Sequence, residues 1–566
     1  MPSVLVSLAR SAVLAAVLAA PAAAAASSLS GAYLAGMQAD FRDDYIEAAD
    51  YYDRALAIDP GNVGLMTNAV VARVAMGDVT TARTIADRLE AADAGNQIAT
   101  LVRLADTLAD GDFAAAGAIL GAAGEEAVNP LLGGLLAGWI EVGREDFPAA
   151  SARFDAMTGN EALAAYGQYH KALALAFAGD FVKAAEILGG GEQGPLHLNR
   201  SAIVAHAEVL AQIGREDDAV AMLDEALAGG VPDAPIIALR DRLAAGGEVP
   251  FDQITGARDG AAEAFLTLAD ALGGEDSQRV ALIHARLAAH IRPKLAEADL
   301  LAADLLEDQQ QYLLASAALS AVPADSPWYV SAQIRLADTQ RAAGDPEAGI
   351  ATLTALAAGN QDRIEVDSAL GDALRMAERF PEAAAAYGEA IAKIDEPRQA
   401  HWVLYYTRGI ANERAGDWRA AEADFRKALE LQPGQPLVLN YLGYSMVEKR
   451  EKLDEALGMI EQAVRDQPDD GYITDSLGWV LYRLGRYQDA VPPMLRAVEL
   501  TPDDPVINDH LGDVLWMVGR RREAEFQWRR ALSFGPSDDL DMDRIRRKLE
   551  TGLDQVLAAE RAGQDG

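Results

Sequence analysis

The chain has 566 residues, half of them apolar and only 6% aromatic, with no cysteine and a net charge of −38. That charge argues against a nucleic-acid partner, because phosphate backbones recruit Lys and Arg and repel an acidic surface. The missing cysteines exclude disulfides, thiol chemistry, cysteine zinc sites and a lipid-modified N-terminal cysteine.

At the N-terminus, Arg10 is followed by the apolar run 11–20, then Pro21 and Ala22 to Ala26. This is the layout of a secretory signal peptide, residues 1–26, cleaved near Ala24 to Ala26. The run is too short and alanine-rich for a good membrane span, although a retained anchor is the alternative. No later stretch reaches membrane length, so the expected mature chain is exported and carries no integral membrane segment.

A 34-residue period then runs almost to the end. Gly478 and Gly512 are one period apart, as are Ala490 and Ala524, Ala497 and Ala531, and Pro502 and Pro536. A period of this size predicts stacked helical units instead of a globular enzyme. The alanine-rich composition, short of β-branched runs, reads as helical throughout. The first unit, 29–62, carries Gly36, Ala48, Tyr52, Ala55 and Pro60. Gly77, Gly111 and Gly179 keep its phase, predicting degenerate units from about 63, 97, 131, 165 and 200. Together these make an N-terminal array over 27–233. Gly229-Gly-Val-Pro232, Gly246-Gly247 and Pro250 then punctuate a stretch expected to be an irregular linker or distorted repeat at 234–261. A middle array, 262–401, restarts near 262, 296, 330 and 364. The best-matched array, 402–538, has units from 402, 436, 471 and 505. Residues 539–566 hold an expected single amphipathic capping helix over 539–561 (Leu540, Ile545, Leu549, Leu553, Val556, Leu557) and a tail.

Each slot has a physical reason. Small residues belong where two helices cross. The bulky residue, Phe425, Met494 or Trp528, is expected to fill the gap between neighbouring repeats. A glycine turns the chain, commonly before Asp and an aromatic, as in Gly111-Asp-Phe113, Gly179-Asp-Phe181 and Gly416-Asp-Trp418. The proline ends the second helix.

This pattern resembles the tetratricopeptide repeat (TPR). The resemblance implies an all-α fold, an α-α superhelix of about 14 helix-turn-helix repeats with a C-terminal cap. It also implies that the first helix of each repeat faces a concave groove through its second, fifth, ninth and twelfth positions. Here those slots hold Asn440 and Tyr444; Tyr472, Asp475, Trp479 and Tyr482; and Asp509, Asp513 and Trp516. Aromatic rings beside Asn and Asp suit a peptide groove, since rings give area at low entropy cost and an amide can pair with an extended backbone. The alternative is that these aromatics stabilise repeat–repeat packing. Tyr406 and Ile410 replace the Lys and Asn with which chaperone-binding members clamp a C-terminal carboxylate. A free C-terminus is therefore not the expected ligand, and the acids favour a neutral or basic segment.

No catalytic constellation emerges. His284 and His290 are six apart, off a shared helical face. Gly189-Gly-Gly-Glu-Gln-Gly194 follows a helix, not a strand, and reads as a loop. No cofactor or metal is expected. From residue 401 onward there are 22 Lys+Arg and 30 Asp+Glu, leaving 27 and 57 before it, so the acid is concentrated in the front. Arg520–Arg522, Arg529, Arg530, Arg544, Arg546, Arg547 and Lys548 form a basic cluster. It could dock an acidic partner or a second copy's acidic front, or simply balance charge at helix C-termini.

Asn440-Tyr-Leu-Gly-Tyr444, the stretch 475–486 and His510-Leu-Gly-Asp513 look like exported TPR proteins of Gram-negative bacteria. One such group is the adaptor of a periplasmic C-terminal-processing protease. This resemblance implies a periplasmic, non-catalytic adaptor that presents protein substrates. The alternatives are a scaffold for envelope or outer-membrane assembly or secretion, and a wall-active hydrolase or lyase using paired carboxylates.

Overall fold

In the computed structural model the described residues are 28–190, 196, 199–228, 233–272, 274, 277–535 and 540–564. The signal segment, loop residues 191–194, the Gly229–Pro232 turn and Pro536 lie outside them. The described residues form an all-α array of paired helices with no strand, divided into two units, 1–352 and 353–566. No helix among them is long and apolar enough to cross a membrane.

One repeat shows how the sequence makes the pair. Gly416 takes φ +88°, a left-handed turn that closes the helix Trp402–Arg414. Asp417 then accepts a hydrogen bond from the Ala420 amide at 3.1 Å and caps the helix Trp418–Leu431. Asp78, Asp112 and Asp180 do the same after their glycines. The small slot is a close approach. A Cβ on Gly512 would meet Trp528 at 2.4 Å. The bulky residue therefore also lies against its own repeat's glycine, in addition to the expected place between repeats. Phe425 does both: it covers Gly409 and reaches Tyr441 of the next repeat, ring centroids 5.2 Å apart.

In the first unit the stretch 234–261 is not irregular throughout. Ala234–Ala244 is a helix capped by Asp233, and only 245–256 lacks helix. Pro235 sits in its first turn, where proline costs nothing. The next two helices, Ala257–Ala271 and Gln278–Ile291, do more than extend the stack. Ala257–Ala271 packs on Pro130–Gly143 and Glu161–Phe177, while Gln278–Ile291 packs on Val63–Ala75 and Gln97–Ala109. Buried residues run around nearly the whole circumference of both, as for helices enclosed in a core. They are enclosed by the first helices of the preceding repeats.

That enclosure is specific. Trp139 lies so close to Gly260 that any side chain there would collide with the indole. Trp139 Nε1 donates to His170 Nδ1 at 2.8 Å, His170 Nε2 lies 3.0 Å from Thr267 Oγ1, and Tyr169 donates to Glu263 at 2.9 Å. Arg279 reaches the Asp43 carboxylate at 2.6 Å and Asp40 at 3.1 Å.

In the second unit the four repeats from 402 stack regularly, and the chain ends in two helices where one was expected. Met542–Thr551 and Leu553–Gln564 are separated by Gly552 at φ +85°. Ile545 and Leu553 join the core, and Leu540, Leu549 and Leu557 pack around it.

Candidate functional site

The second unit holds a groove of about 640 Å³ across the first helices of its repeats. Asn440, Tyr444, Tyr472, Asp475 and Trp479 all line it. Asn440 and Tyr444 stand on Pro436–Glu448 and the other three on Gly471–Arg483. His510, on Pro505–Met517, closes one side.

Trp479 is the fixed element. Its ring stacks between Tyr482 (4.8 Å, 8° between planes) and His510 (3.9 Å, 13°), and its Nε1 donates to Glu448 at 2.6 Å. Only 8% of it is exposed, so it offers an edge, not an open face. Tyr482 lies behind it, half-buried, its hydroxyl pKa raised by burial and by Asp513. The open aromatic is Tyr472, 59% exposed.

Asp475 accepts from His510 Nδ1 through Oδ2 at 2.9 Å. Burial alone would lower the His510 pKa, but the charge and hydrogen bond of Asp475, with Asp509 and Asp513 beyond, outweigh it and raise it. The other oxygen of Asp475 and the side-chain oxygen of Asn440 are shielded from water and have no hydrogen-bond partner among the described residues. A buried acceptor left unpaired costs about 1–3 kcal/mol.

Asp509, Asp513 and Trp516, expected to face the same open groove, are covered by the two terminal helices. Lys548 Nζ donates to both Asp509 oxygens at 2.9 and 2.8 Å and lies 2.6 Å from Asp513. Asp513 also accepts from Trp528 Nε1 at 3.0 Å and Arg544 at 3.3 Å. Burial, then the neighbouring Asp513 charge, raise the Asp509 pKa against the pull of Lys548. Trp516 donates to Asp554 at 3.0 Å and lies against Gly552. The reason for the difference is the cap. Lys548 follows Ile545 by three residues, so the face that packs into the core also carries the cation inward. Others of the basic cluster pair locally, as in Arg520–Glu523 and Arg546–Asp543. Among the described residues no group of His, Cys, Asp or Glu could hold a metal ion.

Models of the tetratricopeptide repeat match residues 42–105, 334–400, 402–435 and 447–505. These stretches are tetratricopeptide repeats. It is 37% identical over 87 residues to the TPR repeat-containing protein PA4667 of Pseudomonas aeruginosa, covering 15% of each chain. The chain thus spans about 15% of the length of the curated relative it matches. Among solved structures, a tetratricopeptide repeat protein from Parabacteroides merdae is 17% identical, with TM-score 0.37, covering 45% of this chain and 97% of its own. MamA from Desulfovibrio magneticus is 20% identical, with TM-score 0.28, covering 31% and 97%. The Cut9–Hcn1 hetero-tetramer of the APC/C is 14% identical, with TM-score 0.36, covering 93% and 97%.

A TPR array is a scaffold suited to protein–protein interaction. In this one, sequence reasoning missed His510 and Glu448 as groove residues and Lys548 as the cation that closes the last repeat. His510 follows a groove slot by one position, so helical periodicity turns it toward the preceding repeat. Its place is given by Trp479 and Asp475 of the preceding repeat, 31 and 35 residues upstream.

Proposed function

We propose that the chain is an exported, non-catalytic TPR scaffold that binds segments of protein partners in its C-terminal groove and acts as an adaptor presenting them to an envelope protease. The observation that carries the binding role is the open groove between Asn440 and His510. There Tyr472 and the edge of Trp479 offer rigid area beside unpaired acceptors. The wording of the repeats between 440 and 520 supports the adaptor role, and the signal-like segment 1–26 supports export.

The absence of cysteine gives a direct test. A single cysteine at exposed Leu437 can carry a photo-cross-linker with no competing thiol. In envelope extract the full chain is expected to cross-link protein substrates together with a processing protease, and Tyr472→Ala should abolish both. Recovery of an outer-membrane assembly or secretion component instead would replace the adaptor with an assembly scaffold. Cross-links unchanged by Tyr472→Ala would remove the groove from the account.

A further inference from the structure

Successive first helices of the C-terminal repeats repeat two rows of side chains. The fifth position gives Asn440, Asp475 and Asp509, one rung per repeat. The second position gives Val403, Leu437 and Tyr472, all exposed apolar residues, followed by half-buried Val506. A ladder of acceptors thus runs beside an apolar stripe, across the helices.

The last rung is already filled from within. Lys548 of the terminal helix, its side chain fully buried, seats its ammonium on Asp509 and Asp513 and lies 5.7 Å from the centre of the Trp528 ring. The next two rungs have acceptors that are only partly engaged, Asp475 being held by His510 through one oxygen at 2.9 Å. Asp475 is 5% exposed with one carboxylate oxygen unpartnered, and the Asn440 oxygen is likewise unpaired. Around them stand Asp504, Glu413 paired with Lys449 at 3.4 Å, Glu448 paired with Arg483 at 3.5 Å, and Arg414 and His510.

We infer that the occupant of this groove is an extended segment of another protein that places a lysine or arginine side chain on the Asp475 and Asn440 rungs, as Lys548 is placed on Asp509. Neighbouring helices stand roughly 8–10 Å apart and an extended chain rises about 3.3 Å per residue, so about three residues span one rung. Apolar residues of the segment then meet the stripe at Leu437 and Tyr472 while the basic one turns inward. This inference rests on the reading that the groove binds a protein segment, and the test separates the two.

The full chain is used to select binders from a displayed library of random peptides of about twelve residues. A selected peptide is synthesised and titrated by fluorescence anisotropy. The expected peptide carries Lys or Arg about three residues from an apolar residue. Changing that basic residue to Gln should weaken binding to the natural chain about tenfold or more and change binding to Asp475→Asn little. Asn440→Asp should tighten it several-fold, which keeps the test open if Asp475→Asn fails to fold. Binding lost in Tyr472→Ala but indifferent to the peptide's basic residue overturns the lysine or arginine assignment and leaves the groove reading intact. Failure to select any peptide, or peptides indifferent to Tyr472→Ala, overturns both.

Discussion

The two units are built from the same repeat, yet their inner faces differ. In the first, the first helices of the repeats enclose the chain's own helices Ala257–Ala271 and Gln278–Ile291. In the second, the corresponding face carries a groove of about 640 Å³ and is closed only at its last rung, by Lys548 and Arg544. The difference follows from side-chain size and charge. Ala257–Ala271 brings small residues, with Gly260 under Trp139 and five alanines among its buried positions, so a helix can lie within contact of the helices around it. In the second unit Tyr472, Trp479 and Asp475 line a face on which no such small-residue helix lies, and polar atoms there are left to be satisfied. An inner face of a TPR array can thus serve as core or as binding surface, depending on what fills its slots.

The contrast can be broken from either side. Trp139 is fully buried between Gly260, Phe154 and His170. Trp139→Ala should destabilise the first unit by about 3–5 kcal/mol in urea titrations followed by circular dichroism, while peptide binding in the second unit stays unchanged. A loss of binding would mean the groove depends on the first unit's filling. In the second unit, Lys548→Met leaves Asp509 and Asp513 without their buried cation and should cost about 3–5 kcal/mol. Adding Asp509→Asn and Asp513→Asn should recover much of it in the same titration.

A smaller effect is the response to pH. Burial, with Asp252 nearby, pushes the Glu208 pKa up to about 8, and burial pushes Glu263 up to about 7. Both hold protons in the fold that the unfolded chain has released above its ordinary value of 4.5. The first unit should therefore lose stability as pH rises from about 5 to 8, and Glu208→Gln should flatten that slope in thermal melts. Burial pushes His170 down to about 3, so the unfolded chain gains a proton below 6.5 that the fold refuses, and stability falls again toward acid. His510 in the second unit has the opposite sign. Its raised pKa gives stability that is complete below 6.5 and is lost as pH rises through the folded value. Tryptophan fluorescence melts, which report mainly the second unit through Trp402, Trp418, Trp479, Trp516 and Trp528, should show this loss shrink in His510→Gln.

The smallest expected change is at Glu145. It sits at φ +64° in the turn where other repeats place glycine. Glu145→Gly should stabilise the first unit by about 1 kcal/mol at most in urea titration.

The repeat and its turns were legible because each rests on a residue whose freedom or size is irreplaceable. Gly416 turns because φ is positive there, and Gly512 is small because Trp528 lies on it. The groove was legible in part. The resemblance brought Asn440, Tyr444, Tyr472, Asp475 and Trp479 to one cavity, because register along a regular stack repeats from helix to helix. It could not foresee that Asp509, Asp513 and Trp516 would be covered. That depends on Gly552 breaking the expected single helix so that Leu553–Gln564 folds back over Trp516. The filling of the first unit was hidden for a related reason. Ala257–Ala271 carries the same alanine-rich pattern as an ordinary repeat helix, and only contacts distant along the chain, such as Tyr169 with Glu263, 94 residues apart, give it a different role.

The most direct test of the central claim uses the missing cysteines. Single cysteines are placed at exposed Leu437, on the helix that carries Asn440 and Tyr444, and at exposed Leu313 in the first unit, and their alkylation rates are measured with and without a library-selected peptide. The account predicts that the peptide protects Leu437→Cys and leaves Leu313→Cys at its free rate. Protection at Leu313→Cys with none at Leu437→Cys would contradict it.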